Sequence, residues 1–238
     1  MTTVVHLLSA GAVKGLVLAL QPDFKRAHDV RFECHFGAVG AMRDRLITND
    51  ACDLIILTAA MIAKLIDEGL VASDTAAKIG DVETGIAVPA VTNVAGVTAM
   101  PRIGNADALR SALTDARRIY LPDPEKATAG IHFAKVLQQL GILDAVRGRL
   151  EPYPNGAAAM RAMADSGDHD VIGCTQVTEI NYSEGVTLVG ALPPEFSLKT
   201  TYSVGVCVNG SQPRLARMFA ALLAGPESAS LRRQGGFL

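Results

Sequence analysis

The stretch VVHLLSAGAVKGLVLAL, residues 4–20, decides how the rest of the chain is read. Residues 4–8 are apolar apart from His6 and have the look of a buried strand. Residues 12–20 return to apolar side chains at helical spacing and run to Gln21-Pro22-Asp23, which predicts the end of a helix. Between the two stand Ser9, Ala10, Gly11 and Ala12, with Lys14 just beyond. A strand passing through small residues straight into a helix is the connection of a parallel α/β sheet. Residues without bulk at that turn also let the backbone approach a ligand closely.

The same order recurs. Residues 31–36 alternate like a strand, and Gly37-Ala38-Val39-Gly40 opens a helix. Residues 53–57 (DLIIL) form a fully buried strand, and Thr58 is placed to cap the helix behind it. Such repeats imply right-handed crossovers and a parallel sheet. Residues 85–97 are apolar and β-branched, but Pro89 argues against a regular central strand, so the chain is expected to leave the first sheet there. Beyond it the pattern predicts a helix over 105–114, a strand over 118–121, and a helix over 131–140 opened by LPDPEKATAG and stopped by Gly141. Strand, helix and strand follow at 151–153, 156–164 and 170–174. Strands at 187–189 and 203–208 and helices at 215–223 and 228–233 close the chain. The expected architecture is α/β with two lobes, each a mixed, mainly parallel sheet flanked by helices: residues 1–87 and 201–238 in lobe I, residues 88–200 in lobe II. Two crossings, near residues 88–90 and 199–202, place a ligand cleft between lobes that closes by hinge motion.

The totals narrow the function. A chain of 238 residues, 49% of them hydrophobic and with a net charge of −2, has enough apolar surface for a large core. It has no basic footprint for nucleic acid and no run approaching the roughly 18 apolar residues of a membrane span. The opening lacks the basic n-region of a signal peptide, so a cytoplasmic location is expected, or a periplasmic one if a leader has been removed. Cys34, Cys52, Cys174 and Cys207 follow no metal spacing and read as buried reduced thiols. No Walker loop, GxSxG, HExxH or dinucleotide fingerprint occurs in a confirming context, and no cofactor or metal is expected.

In open parallel sheets, ligands bind beyond the carboxyl ends of strands, where helix N-termini point free N–H groups. Four turns fit: residues 9–12, 37–41, 126–130 and 154–156. They nominate Ser9, Ala10, Ala38, Val39, Thr128, Ala129 and Asn155 as contacts to a small anionic ligand, with Lys14 and Arg43 as carboxylate partners. Gln176, beyond a late strand, is a neutral specificity contact. His132, near the start of its helix, is the acid/base candidate if the protein is an enzyme.

Over nearly its whole length the sequence resembles the type II periplasmic binding proteins, in particular the molybdate-binding branch. The resemblance rests on LSAGAVK, FGAVGAMRDRL, ACDLIILTAAMIAKLIDEGLV, LPDPEKATAGIHFAKVLQQLGI, SGDHDVIGCTQVTEI and MFAALLAGPESASLRRQGGF. It implies an oxyanion site of serine hydroxyls and backbone N–H groups, with Ser9 as the first serine. The second opening of that family reads Gly-Ser-Ser-Gly, where this chain has Ala38 and Val39, and Thr175 and Gln176 stand near a position usually held by tyrosine. Val39 has no hydroxyl to give a dehydrated tetrahedral oxyanion, so the expectation turns from molybdate to an organic anion, a carboxylate. SAGAVK, the segment from Thr128 to Phe133, and Gln176 are also similar to a group in this superfamily resembling aconitate isomerase. That likeness implies the alternative, a cytoplasmic allylic isomerase shifting a C=C bond in an unsaturated di- or tricarboxylate. A transporter partner is doubtful without an export signal.

Overall fold

The computed structural model describes residues 3–90 and 100–238. The chain divides into two units, the first made of Met1–Val82 with Thr200–Leu238 and the second of Glu83–Lys199.

In the first unit β1 (Thr3–Ala10) runs into α1 (Lys14–His28) through one 3₁₀ turn, and β2 (Val30–Gly37) into α2 (Val39–Ile47). Then β3 (Leu54–Thr58) runs directly into α3 (Ala59–Asp67). β1 pairs in parallel with both β2 and β3, with Ala10 level with Gly37 and Ser9 level with Ile56. The strand ends that carry the small residues therefore lie side by side. Helix α1 does not stop at Pro22 but continues six residues further, to His28. Pro22 removes the hydrogen bond to the carbonyl of Leu18, and both residues are on the exposed side, where water replaces the lost donor. Asp29, in the left-handed region at φ 48°, ends the helix.

β4 (Ala77–Pro89) begins in the first unit and continues into the second. It corrects the expectation for residues 85–97: Gly85 to Ala87 are regular strand, and Pro89 stands at the strand's last position, where its missing N–H does least harm. Residues 91–97 of that stretch lie outside the described residues.

The second unit adds α4 (Ala106–Asp115), β5 (Arg118–Pro122), α5 (Thr128–Gln139), α6 (Leu143–Val146), β6 (Leu150–Tyr153), α7 (Gly156–Asp165), β7 (Val171–Gln176), α8 (Val177–Asn181) and β8 (Val186–Ala191). Its strands run in the order β8-β4-β7-β5-β6, with β5 parallel to β6 and β7, and β4 antiparallel to β7 and β8. Side chains alternate between two cores. Ile119 and Leu121 of β5 face one with Phe133, Val136 and Leu137 of α5, while Tyr120 faces the other with Met160 and Met163 of α7.

β9 (Lys199–Val206), α9 (Pro213–Ala224) and α10 (Ala229–Gly235) return to the first unit. β9 pairs antiparallel with β3, Leu54 opposite Val206 and Thr58 opposite Tyr202. Phe219 of α9 packs on Phe24 and Phe32, with ring centroids 4.9 and 4.8 Å away. Asp53, 1% exposed, joins these pieces. Its carboxylate accepts from the His6 N–H at 2.7 Å, the Gln212 N–H at 2.7 Å and the Ser211 hydroxyl at 3.1 Å. Among the described residues no helix is long and apolar enough to cross a membrane.

Asp53→Ala removes three hydrogen bonds to a buried charged acceptor, each worth about 1 kcal/mol or more. The expected effect is a loss of about 3 kcal/mol, read as a lower urea midpoint. A midpoint within error of wild type would deny Asp53 this joining role.

Candidate anion-binding site

In the first unit, the side chain of Ser9 is fully buried at the end of β1, and its hydroxyl donates to the Ala10 carbonyl at 2.9 Å. Its remaining lone pairs are free to accept; as a donor to an anion the hydroxyl must rotate away from Ala10. Lys14 opens α1 with Nζ 5.7 Å from the centre of the Phe36 ring, so its charge lies over the neighbouring strand β2. Ala38 is the extended residue before α2 and Val39 its first residue; both are buried. Arg43, in the second turn of α2, pairs with Glu68 at 3.2 Å and Asp44 at 3.7 Å. Its Nε is buried and has no partner among the described residues.

The helix starts differ in a way that matters. Val13 before α1 and Ala38 before α2 have no side chain able to cap, whereas Thr58 before α3 accepts from the Met61 N–H at 3.4 Å. Thr58 satisfies one of the orphan donors of its helix; α2 has no such cap, and α1 continues the 3₁₀ turn that begins after Ala10, with the Lys14 N–H donating to the Gly11 carbonyl.

The second unit repeats the contrast. α5 begins at Thr128, three residues earlier than the spacing predicts, and Ala127 before it does not cap. Asp123 instead turns inward to accept from the N–H groups of Glu125 at 2.8 Å and Lys126 at 3.1 Å, which shapes the approach. Thr128 is half-buried and Ala129 buried. A Cβ on Gly130 would lie 2.2 Å from the Asp123 carbonyl oxygen, so only glycine lets α5 start this close to the end of β5. His132 is turned away from the helix start: its Nε2 lies 2.8 Å from the Phe196 carbonyl. A carbonyl only accepts, so Nε2 carries the proton and Nδ1 is the nitrogen left for other work.

The start of α7 is closed from within. Asn155 caps it through Oδ1, accepting from the Ala158 N–H at 2.9 Å. Glu179, 7% exposed, fills the rest: the Thr175 hydroxyl donates to it at 2.5 Å, and the N–H groups of Ala157, Gln176 and Gly156 also point at its carboxylate. A Cβ at position 156 would lie 2.1 Å from Glu179 Oε2, so Gly156 and Glu179 fit as a pair. Glu179 is the functional-region residue that sequence reasoning missed; a lone acidic side chain three positions after Gln176 gives no sign of burial. Burial pushes the Glu179 carboxyl above its ordinary value of 4.5, and the surrounding donors offset part of that rise.

Gln176 ends β7 directly opposite Thr84 of β4 and is 2% exposed. Neither its amide oxygen nor its amide nitrogen has a partner among the described residues, and the same holds for the buried hydroxyls of Thr84 and Thr178. Sequence reasoning found Gln176 but had no signal for the two threonines. Unit by unit, then, Ser9, Ala10, Lys14, Ala38 and Val39 gather at adjoining strand ends, with Arg43 one turn further along α2. Thr128 and Ala129 open α5, Asn155 and Gln176 stand at the starts of α7 and α8, and His132 faces Phe196.

The family model for bacterial extracellular solute-binding proteins matches residues 5–238. The chain belongs to that family. Its fold is that of the type II periplasmic binding proteins, molybdate-binding-like. Among solved solute-binding proteins, the periplasmic molybdate-binding protein of Azotobacter vinelandii matches 98% of this chain and 98% of its own, with a TM-score of 0.78 at 16% identity. The sulfate-binding protein SubI of Mycobacterium tuberculosis covers 99% of this chain and 86% of its own, with a TM-score of 0.72 at 18% identity. In sequence, an aconitate isomerase from a Pseudomonas species is 24% identical over 245 residues, 98% of this chain and 87% of that protein. The molybdate-binding protein ModA of Escherichia coli is 28% identical over 127 residues, 53% of this chain and 48% of that protein.

Because the folded state holds the Glu179 proton more tightly than the unfolded chain does, its contribution to stability is full below about pH 4.5 and is lost as pH rises through the higher folded value. Replacing it by Gln removes that titration. Unfolding free energy measured from pH 4 to 8 should fall less steeply with pH in Glu179→Gln than in wild type; parallel curves would mean that the carboxyl does not titrate in this window.

Proposed function

We propose that this solute-binding protein captures a small organic anion, a di- or tricarboxylate. One observation carries the reading: the 3₁₀ turn that opens α1, and the helices α2 and α5, follow strand ends behind Ala10, Ala38 and Ala127, none of which caps, while Lys14 and Arg43 stand on the first two helices. Uncapped N–H groups and a helix dipole favour negative charge, and Lys14, with Arg43 once it exchanges Glu68 for the ligand, favours more than one carboxylate. Ala38 and Val39 argue against a bare tetrahedral oxyanion, since they bring no hydroxyl to replace its lost water. The Gln176 amide, both donor and acceptor, suits a neutral or hydroxyl-bearing part of an organic ligand.

Isothermal titration with citrate, trans-aconitate, molybdate and sulfate tests this. The carboxylates should bind, and Ser9→Ala and Thr128→Ala should each weaken them about tenfold with little change in unfolding midpoint. Preferential binding of molybdate or sulfate would sink the carboxylate reading; a large loss of stability at unchanged affinity would make Ser9 and Thr128 packing residues only.

A second reading, an isomerase moving a C=C bond by proton transfer, is favoured by the extent of the likeness to aconitate isomerase, which runs through 98% of this chain. In that reading Lys14, Arg43, Ser9 and Thr128 clamp carboxylates, and His132 moves the proton through Nδ1, its Nε2–H being directed at Phe196. Proton NMR of cis- and trans-aconitate incubated with the protein should show interconversion that His132→Ala abolishes. Unchanged turnover in that variant would remove His132 from the mechanism, and no turnover in wild type leaves binding as the function.

A further inference from the structure

Two cysteines separated by 155 positions meet in the first unit, with Cys207 Sγ 3.4 Å from Cys52 Sγ. Cys52 precedes β3 and Cys207 follows β9, and the Cys207 N–H donates to the Asp53 carbonyl at 3.0 Å, so the two backbones are already joined at this point. Both thiols are largely buried, yet their neighbours Ala51 and Val208 are exposed. No third Cys, His, Asp or Glu gathers with them into a metal-holding group among the described residues.

We propose that Cys52 and Cys207 form a reversible disulfide that fastens the returning strand β9 to the head of β3. The sulfurs need to close by only roughly 1.4 Å to reach bonding distance. The oxidant is a disulfide, either of a thiol–disulfide oxidoreductase or of oxidised glutathione. The Cys52 thiolate attacks it, expelling one thiol, and Cys207 then attacks the Cys52 sulfur of the mixed disulfide, expelling the second. Two S–H bonds are lost and one S–S bond forms, while the acceptor takes up two electrons and two protons and leaves as two thiols.

Three observations support the proposal. The cross-link closes a very long loop, the case in which the unfolded chain loses most entropy. The contact with Cys52, burial and the charge of Asp53 hold the Cys207 thiol above its ordinary range, so no stabilised thiolate favours the reduced form over the disulfide. The family's extracellular description belongs to the class of compartment in which disulfides persist. Cys34 and Cys174 serve as internal standards: Cys34 accepts from the Gln21 amide at 2.8 Å, burial pushes its thiol up to about 11, and Cys174 is buried in the second unit.

The test is to incubate the full chain with oxidised glutathione, trap remaining thiols with N-ethylmaleimide in denaturant, and map tryptic peptides by mass. Two of the four cysteines should escape the trap, in one linked peptide pair joining Cys52 to Cys207. The unfolding midpoint should rise by about 5 to 10 °C and return on adding dithiothreitol. Cys52→Ala and Cys207→Ala should each abolish both changes; if either fails to fold, the wild-type map decides. Four trapped thiols after prolonged oxidation, a link through Cys34 or Cys174, or a linked protein with an unchanged midpoint would overturn the proposal.

Discussion

The first unit is assembled from two pieces of chain, and the buried carboxylate of Asp53 is where they are tied. His6 belongs to the opening strand, while Ser211 and Gln212 lead into α9, a helix that arrives only after the second unit has been traversed. One side chain satisfies donors from both pieces, and its own backbone groups pair with His6 and Cys207. Everything the first unit offers a ligand depends on that closure. The level ends of β1 and β2 hold their positions because β3 is pinned between β1 and β9, and Asp53 stands at the head of β3.

Much of this was readable in the sequence, for identifiable reasons. Strand-to-helix junctions such as SAGA and GAVG announce themselves because small residues interrupt a strong apolar pattern. Helix α1 was misjudged because Pro22 carries its ordinary meaning only where its carbonyl partner is buried, and Leu18 is exposed. β4 was misjudged because a proline ends a strand as readily as it forbids one. The candidate contacts were found as members of turns, while Glu179, Thr84 and Thr178 went unseen. Burial of an acidic or hydroxyl side chain is decided by what packs around it, which no local spacing encodes.

The contrast between open and closed helix starts organises the candidate site. Thr58 and Asn155 close their helices with a side chain, and Glu179 adds a full carboxylate at α7. α1, α2 and α5 have nothing comparable. Side-chain caps are also missing at α6, α8, α9 and α10, so the starts that bear on the site are the bare ones placed just beyond a strand end.

The division of the chain also bears on how the protein comes into being. Every strand pairing recorded within the second unit's own span joins residues of one unbroken segment, whereas Ile55 must find Gly205 across the whole of that segment. During synthesis the second unit is complete before β9 exists, and the first unit's sheet has an unpaired face on β3 until the final stretch emerges. An exposed strand edge of that kind is where misassembly begins. The discontinuity that lets one unit interrupt the other thus leaves β3 without its second neighbour until β9 has been made, which raises the contact order of the first unit above that of the second.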